Sequence, residues 1–209
     1  IIIDPGHGGR DGGAVGRRGA VEKDINLAAS LELAKLLDQE GIFEVRLTRD
    51  SDEFVKLQER SKFANTQSGR LFVSLHANAN ASRGLSGFEI YALSEKASDP
   101  ESERLAEFEN SVLALEGEDV PEDAATAVLV AMTKDIHIND SLDLAGRMAL
   151  SVAQRVDLPN RGVKQADFYV LRGTNMPAVL VEMGYLTNAR DEAKLQSEKY
   201  RRKIVEGLY

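Results

Sequence analysis

Leu71-Phe72-Val73-Ser74-Leu75-His76 is an apolar run that stops on a histidine. Two other runs have the same form. Ile1-Ile2-Ile3-Asp4 leads into Pro5-Gly6-His7-Gly8-Gly9, and Ala178-Val179-Leu180-Val181 stops on Glu182. Short, nearly continuous apolar runs read as strands buried on both faces, as in a parallel sheet covered by helices. Working outward, further strands are expected at Phe43–Thr48, Gly87–Leu93 and Phe168–Leu171. Helical periodicity is expected over Val21–Gln39, where Ile25, Ala28, Leu31, Ala34 and Leu37 line one side, and over Phe54–Asn65. It recurs over Ser141–Val156, with Ala145, Met148, Ala149, Val152 and Val156 on one face, and in one or two helices within Asp191–Leu208. This alternation predicts a single α/β domain: a mostly parallel twisted sheet of about six strands flanked by helices. In such sheets ligands bind outside the C-terminal strand ends, where His7, His76 and Glu182 fall.

The chain has 209 residues, of which 43% are hydrophobic, enough for one domain with a substantial core. It contains no Cys, which excludes a disulfide framework and a thiolate zinc site. No apolar stretch approaches the ~18 residues of a membrane span. Residue 1 falls inside an expected core strand with no signal-like segment before it, so the sequence reads as an excised domain whose targeting segment is missing. The net charge of −8 is unevenly placed: Glu95–Asp123 holds eleven acids against Lys96 and Arg104, a net −9, and leaves the remainder at +1. No basic patch stands out, which argues against nucleic-acid binding.

Two His and one Glu suit catalytic zinc, and a second Glu suits a general base. His7 sits among Gly6, Gly8 and Gly9, with Gly12-Gly13 following, in a loop whose glycines let backbone approach a ligand. It is not a phosphate loop, because the Gly-Lys-Ser/Thr ending is absent. Glu22 opens the first long helix and either turns to the sheet mouth or is an ordinary first-turn glutamate favoured by the helix dipole. Glu182 reads as a fourth ligand or as the base. His137, without glycines or a strand end around it, is expected to be structural.

These stretches resemble the zinc-dependent N-acetylmuramoyl-L-alanine amidases of bacterial cell walls, the amidase type 3 family. The motifs that carry the resemblance are Ile2–Gly13, Glu22–Leu27, Leu47-Thr48-Arg49, Arg60–Asn65, Ser74–Ala79 and Pro177–Asn188. The resemblance implies one zinc ion with ligands His7, Glu22 and His76, and Glu182 as catalytic glutamate. It implies hydrolysis of the amide between the lactyl group of N-acetylmuramic acid and the L-alanine of the stem peptide, in cell-wall remodelling and daughter-cell separation. Arg49, Arg60 and Asn78 are candidates for substrate positioning, with a structural role open for each. The implied location is the periplasm of a Gram-negative envelope.

The acidic stretch interrupts the βα rhythm where a direct connection needs only about 2–6 residues. Glu101–Leu115 has helical character, and Ala124–Met132 is expected to form another short helix. The stretch resembles the insert of the division amidases (AmiA/AmiB/AmiC type), which implies a catalytic domain over 1–209 with a regulatory helical insertion at about 94–135. In that family the inserted helix plugs the zinc site until an activator protein with a LytM domain, of the EnvC or NlpD kind, displaces it. The residues add their own argument. Glu109 has Leu105, Val112 and Leu113 at helical spacing, whereas Glu107 has Glu103, Arg104, Asn110 and Ser111, a solvated face. Glu109 is therefore the expected inhibitory ligand; the alternative is an acidic surface helix over an apolar patch. Rival readings of the whole chain are a carboxypeptidase-like zinc hydrolase of wall peptides, a non-catalytic wall-binding module and a metal-free α/β binding protein.

Overall fold

The structure, a computed structural model, describes residues 1–116 and 124–209, apart from the side chains of 124–136. Six strands form one sheet: β1 (Ile2–Pro5), β2 (Arg46–Leu47), β3 (Phe72–Asn78), β4 (Phe88–Leu93), β5 (Asn160–Ala166) and β6 (Ala178–Tyr185). Their order is β2-β1-β3-β6-β4-β5, parallel except for the antiparallel pair β4 and β6. Every residue of β1, β3 and β6 is buried, as strands covered on both faces require.

Side chains alternate between two apolar layers with the two-residue period of a strand. Ile3, Val73, Leu75, Val179 and Val181 join one cluster, which packs beneath α1 (Glu22–Gln39), α5 (Ala124–Ala153) and α8 (Glu198–Leu208). Ile2, Phe72, Ala178 and Leu180 join the other, with Ala64 of α2 (Leu57–Thr66) and Leu105 and Ala106 of α3 (Pro100–Asn110). A single turn, α4 (Leu113–Glu116), follows α3, and α7 (Ala189–Gln196) precedes α8.

Five expectations change. Phe168–Leu171 is not a strand: Tyr169–Arg172 forms one helical turn, α6, and the edge strand is Asn160–Ala166 instead. That edge strand pairs on one side only and is mostly half-buried, so it carries no apolar run to announce it, whereas Phe168, Val170 and Leu171 are apolar because they fill the second layer. The strand expected over Phe43–Thr48 shrinks to Arg46–Leu47 at the other edge. On α1 the buried apolar residues are Ile25, Ala29, Leu33 and Leu37, while Leu31 is exposed. Repeated steps of three drift around a helix of 3.6 residues per turn, so the expected stripe left the core face. The helix expected over Ser141–Val156 starts at Ala124 and takes in the separate helix expected at Ala124–Met132. Glu101–Leu115 divides into α3 and α4.

Candidate metal centre

Adjacent strands bring the histidines together. β1 pairs with β3 and β3 with β6, so the loop after β1 carries His7 beside His76, and the register sets His76 opposite Glu182. His7 has a φ of 61°, an uncommon conformation for a residue with a Cβ. The turn is held from below by two buried arginines. Arg49 donates to the carbonyls of Pro5, Gly6, Lys23 and Ser51, and Arg60 to those of Pro5, His7 and Val55. Arg60 also pairs with buried Asp4 at 2.8 Å, and Asp4 accepts from Thr48 and Ser74. Burial disfavours a charged Asp4, but Arg60 and the two hydroxyls outweigh it and hold its carboxyl below the usual range.

Four donor atoms converge. His7 Nε2 lies 3.1 Å from both Glu22 Oε1 and Glu109 Oε2, and His76 Nδ1 lies 3.1 Å from the same two oxygens. All four atoms lie within 4.8 Å of one another, and all four residues are buried. A tetrahedral ion about 2.0–2.1 Å from each ligand needs ligand–ligand edges of about 3.3 Å, so this donor set can hold a metal ion. Two of the four donors, on His7 and Glu22, are aimed by neighbours. Asp11 Oδ2, 2.8 Å from His7 Nδ1, favours the tautomer that turns the Nε2 lone pair inward. Glu22 accepts from the backbone N–H groups of Ala14 and Ala77 and from Asn26 Nδ2. Gly13 stands so close that a Cβ there would lie 2.5 Å from Glu22 Oε2 and 2.6 Å from His7 Cδ2.

The electrostatics demand positive charge. Burial opposes ionisation of His76, yet Glu109 and then Glu22 prevail and push it up to about 10. His7 is raised well above its ordinary value against the same burial by Glu22, Glu109 and Asp11. Glu22 and Glu109 are both lowered by the two rings. Glu182 behaves oppositely: burial, then Glu109, Glu22 and Glu89, raise it well above the usual carboxylate range against the pull of His76. Both of its oxygens are buried without a hydrogen-bond partner among the described residues. A buried carboxyl with so perturbed a pKa beside two histidines marks a candidate proton-transfer group.

Compared with known proteins, all of residues 1–209 match the family Amidase_3, N-acetylmuramoyl-L-alanine amidase. The chain belongs to this amidase family. It is 35% identical to N-acetylmuramoyl-L-alanine amidase AmiC of Escherichia coli O6:H1 over 100% of the chain and 50% of that protein. It is 33% identical to AmiA of Escherichia coli (strain K12) over 100% of the chain and 73% of that protein. The chain thus spans half of the AmiC relative's length. The amidase structure from Clostridium difficile 630 superposes with a TM-score of 0.75 at 29% identity, covering 99% of this chain and 90% of that one.

Of the other residues singled out in this amidase sequence, Arg49 and Arg60 donate to backbone carbonyls and, for Arg60, to Asp4, so the structure places them as braces of the His7 turn and not at an open surface. Asn78 lines an open groove with Asn80, Arg104 and Phe108. Glu107 is exposed, on the opposite side of α3 from Glu109. His137 stands apart from the centre, half-buried beside Leu93, Leu171 and Met176. Sequence reasoning missed Asp11, although an acid four residues after a loop histidine was a usable signal. It also missed Asn26, whose place one turn beyond Glu22 on α1 was equally visible.

Proposed function

We propose that the chain is the catalytic domain of a zinc-dependent peptidoglycan amidase that cleaves between the lactyl group of N-acetylmuramic acid and L-alanine. The observation that carries this reading is the convergence of His7, Glu22 and His76 beside Glu182 at the sheet mouth. The fit to zinc is chemical: two imidazole nitrogens and a carboxylate oxygen, with no thiolate, are the donors of hydrolytic zinc sites. When bound there, the ion supplies Lewis-acid polarisation of a carbonyl and lowers the pKa of water. Glu182 accepts the proton of the attacking water and delivers it to the departing alanine amine. Asp11 and Asn26 keep His7 and Glu22 oriented throughout.

In this state the domain is autoinhibited. Glu109 completes a four-donor set and takes the corner that substrate and water need. A buried carboxylate on an otherwise apolar helix face requires a partner, and the metal centre provides one. Removal of α3 by an activator protein with a LytM domain then switches the enzyme on, as suits a cell-division role in the periplasm. Support for peptidoglycan as substrate comes from relatives that carry the name N-acetylmuramoyl-L-alanine amidase. Digestion of peptidoglycan by the unaltered chain and by Glu109→Ala, with products read by mass spectrometry, tests both parts. Intact stem peptides with free N-terminal alanine, released much faster by the variant, are expected. Equal rates would remove Glu109 as inhibitor, and peptides cut between amino acids would remove the amidase.

A further inference from the structure

Beyond the metal centre, two cations share one buried carboxylate. Glu89 of β4 is fully buried, and its Oε1 accepts from Arg161 Nε at 2.6 Å and Lys164 Nζ at 3.0 Å, both from β5. Its Oε2 accepts from Tyr91 Oη at 2.6 Å. One carboxylate cannot neutralise two cations, so the sheet side of this cluster keeps a surplus positive charge. The compensating anions come from the start of α3: Arg161 Nη2 pairs with Glu101 Oε2 at 3.0 Å and Lys164 Nζ with Asp99 Oδ2 at 3.3 Å. Tyr185 Oη lies between Glu101 Oε1 at 3.0 Å and Glu89 Oε1 at 3.2 Å, and Asn80 Nδ2 donates to the Glu101 oxygen at 3.4 Å. Glu89 thus takes the Nε edge of Arg161 and turns its Nη2 towards α3. Guanidinium, phenol and carboxamide together form a preorganised receptor for a carboxylate.

The same helix carries Glu109 to the histidine pair. Eight residues separate Glu101 from Glu109, about 12 Å along the axis at about 1.5 Å per residue. An extended peptide covers about 3.3–3.6 Å per residue, so this distance is the reach of three to four residues. The groove lined by Asn78, Asn80, Arg104 and Phe108 opens beside α3 between these ends. We propose that Arg161, supported by Lys164, Tyr185 and Asn80, is a subsite for a carboxylate on the substrate's peptide, and that Glu101 occupies it as a mimic while α3 is docked. This inference rests on the amidase reading and extends it. Docked α3 then imitates the substrate at two points, and its departure frees both together.

The test uses Glu109→Ala protein and two synthetic muramyl peptides that differ only in a carboxylate or a carboxamide on the third residue. The carboxamide should raise KM about tenfold with kcat little changed, as loss of one charged hydrogen-bonded contact predicts. Adding Arg161→Gln should cost the same factor on the carboxylate substrate and nothing further on the carboxamide, with Arg161→Lys recovering part of the loss. Equal KM for the two substrates, or an Arg161→Gln penalty equal on both, overturns the subsite and leaves Arg161 as a clamp for α3, the amidase reading intact. Cleavage of neither substrate by the zinc-loaded Glu109→Ala protein overturns the amidase reading and the subsite with it. A thermal melt of each variant separates loss of fold from loss of binding.

Discussion

Glu22 and Glu109 reach the same two imidazoles at the same 3.1 Å, but by opposite constructions. Glu22 is rooted. It opens an 18-residue helix packed on the sheet, and backbone N–H groups from two separate segments grip its carboxylate. Glu109 is docked. It rides on an 11-residue helix that buries Leu105 and Ala106 but leaves Phe108 45% exposed. The docking is otherwise polar: Glu101 on Arg161, Asn110 on the backbone of Asp167 and Tyr169, and Glu116 of α4 on the N–H of Leu57. Apolar burial holds an element in place without regard to direction, whereas ion pairs and hydrogen bonds at a rim exchange readily for water or a ligand. The difference teaches that one donor is built into the fold and the other is carried on a helix held largely by polar contacts.

The comparison breaks most sharply at the rooted side. Glu182→Gln should lower turnover by about 10²–10⁴-fold, the usual contribution of a positioned acid–base group. Its melting temperature should hold or rise, because burial disfavours the carboxylate there and an amide carries no charge. A variant that melts much earlier, assayed by calorimetry, would place Glu182 in the fold and not in the chemistry. Asp4→Asn acts the other way. It leaves Arg60 buried without its ion-pair partner, which should cost about 3–5 kcal/mol in denaturant unfolding. The pH dependence has a definite sign. Because the Asp4 carboxyl is held below its ordinary value, its stabilisation is complete above about pH 4 and is lost as pH falls through the lowered pKa. Asp4→Asn should therefore flatten the acid limb of the stability profile, and an unchanged limb would refute the pair's role.

Asp11 tests how far rooting extends beyond the ligands. Asp11→Asn removes the negative partner of His7 Nδ1, and substitutions of such partners typically cost 10–100-fold in metal affinity. Zinc titration against a competing chelator checks this. An unaltered affinity would mean that the Gly6–Gly9 turn, held by Arg49 and Arg60, orients His7 without help.

What the sequence disclosed follows the same division. The rooted parts were legible because buried parallel strands write continuous apolar runs, and a charged or imidazole residue at the end of such a run stands out. Leu71–His76 and Ala178–Glu182 were therefore readable, and their neighbours in the sheet followed. The edge strand Asn160–Ala166 was not, because a half-exposed edge has no apolar signature, and Phe168–Leu171 imitated one while filling a layer as a helical turn. Glu109 was legible from its apolar neighbours on α3. Arg161 and Lys164 were not: nothing in a polar edge strand announces that Glu89 lies across from it, 72 residues away in sequence from Arg161.

The smallest effect asks whether docking can be loosened without touching the four-donor centre. Asp99 caps α3, accepting from the N–H groups of Glu101 and Ser102 at 3.0 and 2.8 Å. Asp99→Ala removes the cap, which typically weakens a helix by about 1 kcal/mol, and with it the half-exposed pair to Lys164, which adds little. If α3 opens as a unit separate from the core, that loss falls on the docked state alone, and basal hydrolysis should rise by up to about fivefold while global unfolding barely moves. If α3 instead melts only with the sheet, the same substitution should lower the melting temperature and leave basal activity flat. A rise in activity with an unchanged melt would thus distinguish a reversible plug from a permanent part of the core. The variant alters no group within the four-donor centre, so metal binding offers no alternative explanation.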